Sequence, residues 1–515
     1  MTPRTNAWIV ALLIFIASVR IAATYRTFSP TFDEPAHIAC GMEWLERGTY
    51  TYEDQHPPLA RVAAALLPWL NGNRGHSHPN MWEEGWLIVA DDPANLILAR
   101  AGILPFFWIA CVSLFYLARE IVDSVVATWS VAFFTLLPPI LAHAGLATTD
   151  MALTAGVCSA LLFFLLWLRA PTFRRAALLG VSLGFALLCK FSSLPFIPAA
   201  AFAMSLTVLL ANPARLRRVR VAHLLQLALA LAIACLLVWA GYGFSWGQVR
   251  GDGPFRPAPE FWAGLKSVRA HNRAGNVSYL LGQTSQHGFF WFYPVCIAVK
   301  TPLAWLFFAA TGAVAGWNDR RMWMAFGPSL AILAVAMGFG HINLGIRHIL
   351  PVYLGFSVVA AMGLKFMIRR RAGIGVAACL ALWLLASTTH AHPDYLAYFN
   401  ELAGNRPEHI LIDSDLDWGQ DVFRLEKRLA DAHAASVAVL TFGSSPPSLQ
   451  KGGIALSAFS IDAPKPGWNA VGITPLTILQ NQARTRDPNR TFWFERIPPE
   501  HVGKGILLWY YRTPG

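Results

Sequence analysis

Two adjacent acidic residues follow the first apolar run of this sequence and are the strongest candidates for chemistry. The surrounding stretch contains Asp33, Glu34 and Pro35 at its start and His56, Pro57, Pro58 and Leu59 at its end. A carboxylate at the boundary between lipid and water can act as a general base. Asp33 also suits a helix N-cap, with Pro35 in the first helical turn. Capping does not account for Glu34 or His56, so both interpretations stay open.

A third carboxylate and three cations stand at the ends of later apolar runs. They are Asp150 in Ala147-Thr148-Thr149-Asp150, Lys190, Lys300, and Arg347 followed by His348. Each cation alone is explained by a long side chain reaching the membrane surface. Together they suggest a bound anion, because positive charge is normally concentrated on the cytoplasmic side. Asp150 or Thr149 could instead cap the next helix.

The composition is that of a membrane protein with many spans. Of the 515 residues, 55% are hydrophobic and 14% are charged, whereas soluble domains carry about 25% charged residues. The net charge of +12 comes largely from short basic clusters between apolar runs, so it indicates membrane topology and no nucleic-acid partner. The seven cysteines show no disulfide framework or metal-binding spacing.

Apolar runs of spanning length predict about eleven transmembrane helices. The runs are Trp8–Ala23, Leu96–Leu117, Val125–Ala142, Met151–Leu168, Ala176–Cys189, Leu194–Leu210, Val221–Phe244, Thr301–Trp317, Met322–Phe339, Ile349–Met367 and Ile374–Thr388. With this count, the basic clusters at 174–175, 215–220, 320–321 and 369–371 all fall on one side, which we predict to be cytoplasmic.

The same count divides the chain into a membrane domain, residues 1–390, and an exoplasmic soluble domain, residues 391–515. Residues 25–93 form the first exoplasmic loop, whose amphipathic stretches at 38–45 and 59–70 predict helices lying in the membrane interface. Residues 245–300 form a long aromatic-rich exoplasmic loop. In the tail, predicted strands at 410–412 and 437–442 flank a predicted helix at 422–432, which indicates an α/β fold.

Alternating aspartates in the tail, Asp413 to Asp421, are similar to a calcium-binding loop. The glycine is one position late and no glutamate follows at the required spacing, so a turn in which Asp417 or Asp421 caps the next helix is the preferred interpretation. The sequence contains no phosphate-binding glycine loop, dinucleotide fingerprint or zinc motif.

Several of these motifs together resemble those of GT-C membrane glycosyltransferases of family 39, the protein O-mannosyltransferase-like family, and especially its bacterial members. They are the Asp33-Glu34 pair, His56-Pro57-Pro58-Leu59, Ala147 to Asp150, Lys300-Thr301-Pro302, Gly345 to Tyr353, Tyr398 to Gly404 and Leu416 to Asp421. The related aminoarabinose transferases of lipid A have lysine where this sequence has His56. The tail is unlike the β-trefoil insert of the eukaryotic enzymes.

The resemblance implies a polyprenyl-phosphate-linked sugar as donor and an exoplasmic acceptor hydroxyl on a protein, lipid or glycan. It implies Asp33 as catalytic base, with Glu34 beside it. We expect Asp150 on the acceptor side, donor phosphate held by Lys190, Lys300, Arg347 and His348, and His56 orienting the first loop. No cofactor is certain, and a divalent metal stays open. The implied location is the bacterial plasma membrane.

Two other function classes fit parts of the pattern. A transporter or flippase for a lipid-linked sugar would place its ionisable groups near the middle of the bilayer, often in paired halves of the chain. Here these groups gather at one membrane face, and no paired halves are visible. A scaffold protein would use the tail as its working part and would tolerate Asp33→Asn.

Overall fold

The computed structural model describes residues 3–211, 221–443 and 453–512. Its helices are α1 (Pro3–Ala22), α2 (Asp33–Arg47), α3 (Pro58–Leu70), α4 (Met81–Asp91), α5 (Ala94–Ile121), α6 (Ser124–Thr135), α7 (Pro138–Ala144), α8 (Asp150–Arg169), α9 (Phe173–Cys189), α10 (Ser193–Ala211), α11 (Val221–Gly241), α12 (Pro259–Ala274), α13 (Phe292–Lys300), α14 (Leu303–Ala315), α15 (Arg320–Phe339), α16 (Val352–Met367), α17 (Arg371–His390), α18 (Val422–Asp431) and α19 (Ile473–Arg486). The strands are β1 (Trp246–Val249), β2 (Asp252–Pro257), β3 (Ser278–Leu280), β4 (Gln283–Ser285), β5 (Ser436–Leu440), β6 (Ala455–Ala458), β7 (Gly467–Gly472), β8 (Glu500–Val502) and β9 (Ile506–Tyr511).

Seven of the described helices are long and apolar enough to cross a membrane: α1, α5, α8, α10, α11, α15 and α17. Two bent pairs raise this number to as many as nine, because α6 meets α7 at 70° and α13 meets α14 at 115°. Pro138 and Pro302 stand at these breaks, where proline cannot donate a helical hydrogen bond. The other two predicted spans are the shorter helices α9 and α16. The polytopic helical fold is confirmed, and the count of eleven stays a prediction.

The first loop folds into three helices. Helices α2 and α3 cover the two predicted amphipathic stretches, but α2 does not lie freely in the interface. It is buried from Glu34 to Glu43, because α3 packs on one face and the unpredicted α4 on another. Glycines permit both contacts: a Cβ at Gly41 would lie 2.1 Å from the Arg61 carbonyl oxygen, and one at Gly85 would lie 1.9 Å from that of Pro35.

Two ends of the helical bundle are distinguished by their ion pairs. Asp123 pairs with Lys365, and Glu120 pairs with Arg169, which brings the α5–α6 connection, the end of α8 and the end of α16 to one end. Asp150 begins α8 at the opposite end, which we call the site end. The basic cluster predicted at 215–220 lies outside the described residues.

The tail has two structurally different parts. Residues 391–421 contain only short 3₁₀ turns in place of longer elements, and Tyr395, Leu411 and Trp418 belong to the same core as the membrane helices. From Val422 onward, α18 and α19 accompany a mixed sheet of order β6-β5-β7-β9-β8, which has cores of its own. Strand β5 is parallel to β6 and β7, whereas β9 is antiparallel to β7 and β8.

The α/β character, the helix from Val422 and the strand at β5 are as predicted. The strand predicted at 410–412 is wrong, because these residues connect 3₁₀ turns and pack against the helical bundle. Asp421 stands at the N-cap position of α18, as predicted, but no side-chain capping bond is made there. The Asp417 carboxylate accepts from the Gly419 and Thr474 amides, and that of Asp421 accepts from the Lys504 and Gly505 amides. Both carboxylates therefore hold tail loops together.

Candidate active site

Four ionisable side chains form a continuous chain of contacts at the site end. Arg347 Nη1 donates to Asp33 Oδ2 at 2.9 Å and lies 3.7 Å from Asp150 Oδ2. Lys190 Nζ donates to Asp150 Oδ1 at 2.5 Å. The four residues come from four separate parts of the chain: the start of α2, the start of α8, the end of α9, and a 3₁₀ turn before α16.

Asp33 is the most accessible of these four groups. Its side chain is 26% exposed, against 0% for Asp150 and 8% for Arg347. The N-cap of α2 is Phe32, which makes no capping bond through its side chain. The capping interpretation of Asp33 is therefore wrong: its carboxylate faces Arg347. A half-exposed carboxylate can receive a proton from an incoming hydroxyl, which the buried Asp150 cannot do without rearrangement.

Unpartnered polar atoms occur around Asp150. Asp150 Oδ2 accepts no hydrogen bond from any described residue, and the same holds for His143 Nδ1, Thr148 Oγ1 and the Ser193 hydroxyl. Thr149, the N-cap of α8, makes no side-chain capping bond. Buried polar atoms are nearly always paired, so unpaired atoms at these positions mark a place where a bound ligand can supply the missing partners.

The tail orients Arg347. Arg347 Nε donates to Ser414 Oγ at 3.2 Å, and the guanidinium lies 4.3 Å from the centre of the Trp418 ring. Gly345 has a φ of 140°, and a Cβ there would lie 2.3 Å from Ser414 Oγ. Glycine is required because other side chains rarely adopt this φ and have no room here. The Gly-Ile-Arg-His motif therefore leaves room at Gly345 for Ser414 of the tail.

The same tail segment also bonds to the backbone of the residues that precede Asp33. The Phe32 amide donates to the Trp418 carbonyl oxygen at 3.0 Å, and the Ser29 amide donates to that of Gln420 at 3.1 Å. The Ser29 hydroxyl bonds to Gly419 and accepts from Val422. Residues 414–422 therefore contact the Arg347 side chain directly and hold the backbone of the residues that precede Asp33.

Glu34 has a different environment from Asp33. It is completely buried, and its two oxygens accept bonds of 2.8 Å from Arg100 Nε and Nη2. The Thr31 and Ala147 amides also donate to it. Arg100 in turn donates to the carbonyl oxygens of three residues before Asp33, namely Tyr25, Phe28 and Ser29. Glu34 has no acceptor capacity left for a substrate, so its direct catalytic role is corrected to positioning.

His56 belongs to a polar cluster beside the four ionisable groups. Arg61, buried in α3, donates to His37 Nδ1 at 3.2 Å, contacts His56 Nδ1 at 3.2 Å, and pairs with Glu53. Burial and the nearby Lys190 charge lower the pKa of His56 to about 4, so His56 is neutral at physiological pH. Pro57 and Pro58 are buried where α3 begins, and they fix the direction of the chain after His56.

Lys300 does not join the other two cations. It is almost fully buried and donates to the carbonyl oxygens of Leu396 and Asp415, with the Phe399 ring 4.2 Å away. Lys300 therefore fastens the tail and makes no direct contact with Asp33, Asp150, Lys190 or Arg347, and its approach to the other two cations stays a prediction. His348 is half-buried beside Arg347; burial and the charges of Arg347 and Lys190 lower its pKa well below 6.5.

Sequence reasoning missed the buried arginines and their partners. Arg61 and Arg100 lie inside apolar stretches, and a cation in such a stretch requires a carboxylate or several carbonyl groups nearby. That signal could have linked Arg100 to Glu34. No comparable signal in the sequence pointed to Ser414 or His143. Among the described residues, no group of three or more His, Cys, Asp or Glu side chains is placed to hold a metal ion.

Comparison with known proteins agrees with this architecture. Residues 101–239 match the family model described as dolichyl-phosphate-mannose-protein mannosyltransferase. No curated protein matches the sequence. The chain is similar to ArnT from Cupriavidus metallidurans bound to undecaprenyl phosphate, with 13% identity, 98% of each chain covered and a TM-score of 0.53.

Two further solved structures are similar over a smaller part of their length. Apo ArnT from the same organism has 18% identity and a TM-score of 0.52, with 76% of this chain and 66% of the other covered. The oligosaccharyltransferase AglB from Archaeoglobus fulgidus, in complex with an inhibitory peptide and a dolichol-phosphate, has 14% identity and a TM-score of 0.47, with 75% and 55% covered.

The protein is therefore a polytopic membrane protein with the GT-C glycosyltransferase fold. The resemblance inferred from the motifs is confirmed by the ArnT fold over nearly the whole chain and by the family model over residues 101–239. The motif residues themselves are not tested by these comparisons, so their roles rest on the geometry described above.

Proposed function

We propose that this protein transfers a sugar, a hexose such as mannose, from a polyprenyl-phosphate donor to a hydroxyl group of an exoplasmic acceptor. The acceptor is a protein, a lipid or a glycan. One observation carries the proposal: Asp33, Arg347, Asp150 and Lys190 meet at one end of the bundle in a single chain of contacts. The two cations can stabilise the departing phosphate, and the accessible carboxylate beside them can take the proton of the acceptor hydroxyl. Glycosyl transfer from a phosphate requires both functions.

The donor side of the reaction is assigned to the cations. A polyprenyl donor stays in the bilayer, so its phosphate must be bound where the spans end. Lys190 and Arg347 would stabilise the negative charge that develops on the phosphate as the bond from the sugar C1 to the phosphate oxygen breaks. The bond's electron pair leaves with the polyprenyl phosphate. Asp150 lies between the two cations and positions them. Neutral His348, beside Arg347, lines the same phosphate-binding region.

The acceptor side is assigned to Asp33. Its carboxylate would take the proton from the acceptor hydroxyl while the hydroxyl oxygen forms a bond to C1. The Asp33 side chain is 26% exposed, so an acceptor hydroxyl can reach its carboxylate from solvent. Glu34 and His56 act indirectly, the first by fixing the backbone before Asp33 and the second by orienting the first loop.

The transporter alternative receives no support from the geometry. Asp33 begins α2, Asp150 begins α8 and Lys190 follows α9, so the charged groups lie at helix ends and not near the middle of the spans. A location in a bacterial plasma membrane, with the site end facing outward, is part of the proposal and rests on the loop charges.

The test is Asp33→Asn in the purified protein, supplied with polyprenyl-phosphate mannose and with acceptors extracted from cells that lack it. Loss of a general base costs about 10²–10⁴-fold in rate, and we expect a loss in this range. The matched control is Asp123→Asn, which alters an aspartate that is also paired with a cation but lies at the opposite end. Near wild-type transfer by Asp33→Asn would exclude Asp33 as the base.

A further inference from the structure

Helix α12, in the long loop between α11 and α13, has an outward face that the proposed reaction does not use. This face consists of Trp262, Lys266, Arg269 and Arg273, all exposed. At 100° per residue they lie within an arc of about 60°. No ion pair among the described residues involves the three cations, and no other described residue neutralises them.

One flank of α12, about 90–110° around the helix from the cations, holds the helix against the ends of the spans. The Phe261 ring lies 5.2 Å from that of Phe191, which follows α9, and 6.2 Å from that of Tyr242, which follows α11. Asn272 Nδ2 donates to the carbonyl oxygen of Phe339, the last residue of α15, at 2.9 Å. Contacts with the ends of three membrane helices place α12 at the level where these helices leave the bilayer.

The hairpin β1–β2, which packs beside α12, exposes large aromatic side chains at the same level. Trp246 is 59% exposed and Phe255 is 63% exposed. Exposed aromatic rings are typical of the membrane–water interface. A helix with cations on one face, next to exposed aromatic groups at the ends of membrane helices, has features of an interfacial lipid-binding element.

We propose that the outward face of α12 binds the headgroups of anionic phospholipids in the leaflet at the site end. The charge is complementary, since three unpaired cations face outward while the adjacent aromatic rings enter the interface. A soluble acidic partner would not require those aromatic groups. His271, on the side of α12 opposite to the cations, bonds to Gln55 Oε1 at 2.7 Å, so the same helix also contacts the loop that contains His56.

The test is native mass spectrometry of the full-length protein in detergent, titrated with phosphatidylglycerol or with phosphatidylcholine. In the triple variant Lys266→Gln, Arg269→Gln and Arg273→Gln, we expect affinity for phosphatidylglycerol to fall roughly tenfold or more, while affinity for phosphatidylcholine is unchanged. A matched triple variant changes exposed cations of the tail, Lys427→Gln, Arg486→Gln and Arg496→Gln, and should bind as the wild type does.

Wild-type affinity for phosphatidylglycerol should also weaken as the salt concentration rises, because these charges are exposed. This measurement does not depend on the folding of any variant. The proposal is overturned if the α12 variant binds phosphatidylglycerol as tightly as the wild type, or if the affinity is insensitive to salt. It is also overturned if glycerol phosphate without acyl chains competes as well as the intact lipid, since the face would then be a site for soluble anions.

Discussion

Asp33 and Asp150 carry the same functional group in different surroundings. Asp33 is partly exposed and contacts one cation, whereas Asp150 is fully buried and contacts two. From residue type alone, we would expect Asn at either position to remove activity without unfolding the protein. The structure alters that expectation for Asp150, because its removal leaves Lys190 buried without a carboxylate, and breaking a buried ion pair is costly.

We therefore expect Asp150→Asn to lower the free energy of unfolding by about 3–5 kcal/mol and also to reduce sugar transfer. The double variant Asp150→Asn with Lys190→Met removes the unpaired charge and should recover much of the stability, but not the activity. Thermal unfolding in detergent and a transfer assay measure the two effects separately. Full activity in the stable double variant would contradict the phosphate role of Lys190.

At the scale of elements, residues 414–422 act as part of the site although they belong to the tail. Their backbone contacts the segment before Asp33, and Ser414 and Trp418 contact the Arg347 guanidinium. Lys300 strengthens this arrangement by binding the carbonyl oxygens of Leu396 and Asp415. We infer that residues 391–421 belong structurally to the membrane domain, and that the independent part of the tail begins near Val422.

This inference predicts the effect of changing Ser414. Ser414→Ala removes the hydrogen bond to the Arg347 guanidinium, and a hydrogen bond to a charged group contributes about 1.5–3 kcal/mol. We expect kcat/KM for the donor to fall about 10–100-fold, with little change in KM for the acceptor, because the tail keeps its backbone bonds to Ser29 and Phe32, which precede Asp33. Ser457→Ala, on the exposed edge strand β6, is the control and should behave as the wild type. If the donor and acceptor KM values change equally, Ser414 stabilises the whole site and does not specifically position Arg347.

At the scale of the whole molecule, the main unmeasured property is the side of the membrane that the site end faces. The first loop, residues 245–300 and the tail all contact the site end, so they must share one side. The distribution of basic loops predicts that this side is exoplasmic.

Reporter fusions test this orientation. Fusions at Asn73, in the first loop, and at Gly453, in the tail, should be active for an exoplasmic reporter. One at Asn318, between α14 and α15, should be active for a cytoplasmic reporter. The reverse pattern would place the site in the cytoplasm, and it would then also remove the proposed exoplasmic acceptor.

The sequence by itself indicated a helical membrane protein with many spans and the charged residues at the ends of its apolar runs. It also indicated the GT-C resemblance and, in the tail, the helix α18 and the strand β5. These properties are local: hydropathy and periodicity depend on neighbours a few positions apart. For the same reason, Asp33, Asp150, Lys190 and Arg347 could be selected as candidates without knowing how they meet.

Only the tertiary structure decided the partners. Asp33 and Arg347 are 314 positions apart, and Arg100 is 66 positions from Glu34. Asp33 and Glu34 are adjacent acidic residues in the sequence, yet Asp33 is partly exposed and Glu34 is buried against Arg100. Lys300 looks equivalent to Lys190, yet it binds carbonyl oxygens of the tail. The cause is physical: a buried charge must be neutralised or hydrogen-bonded, and which groups do so depends on how distant segments pack, which local patterns do not record.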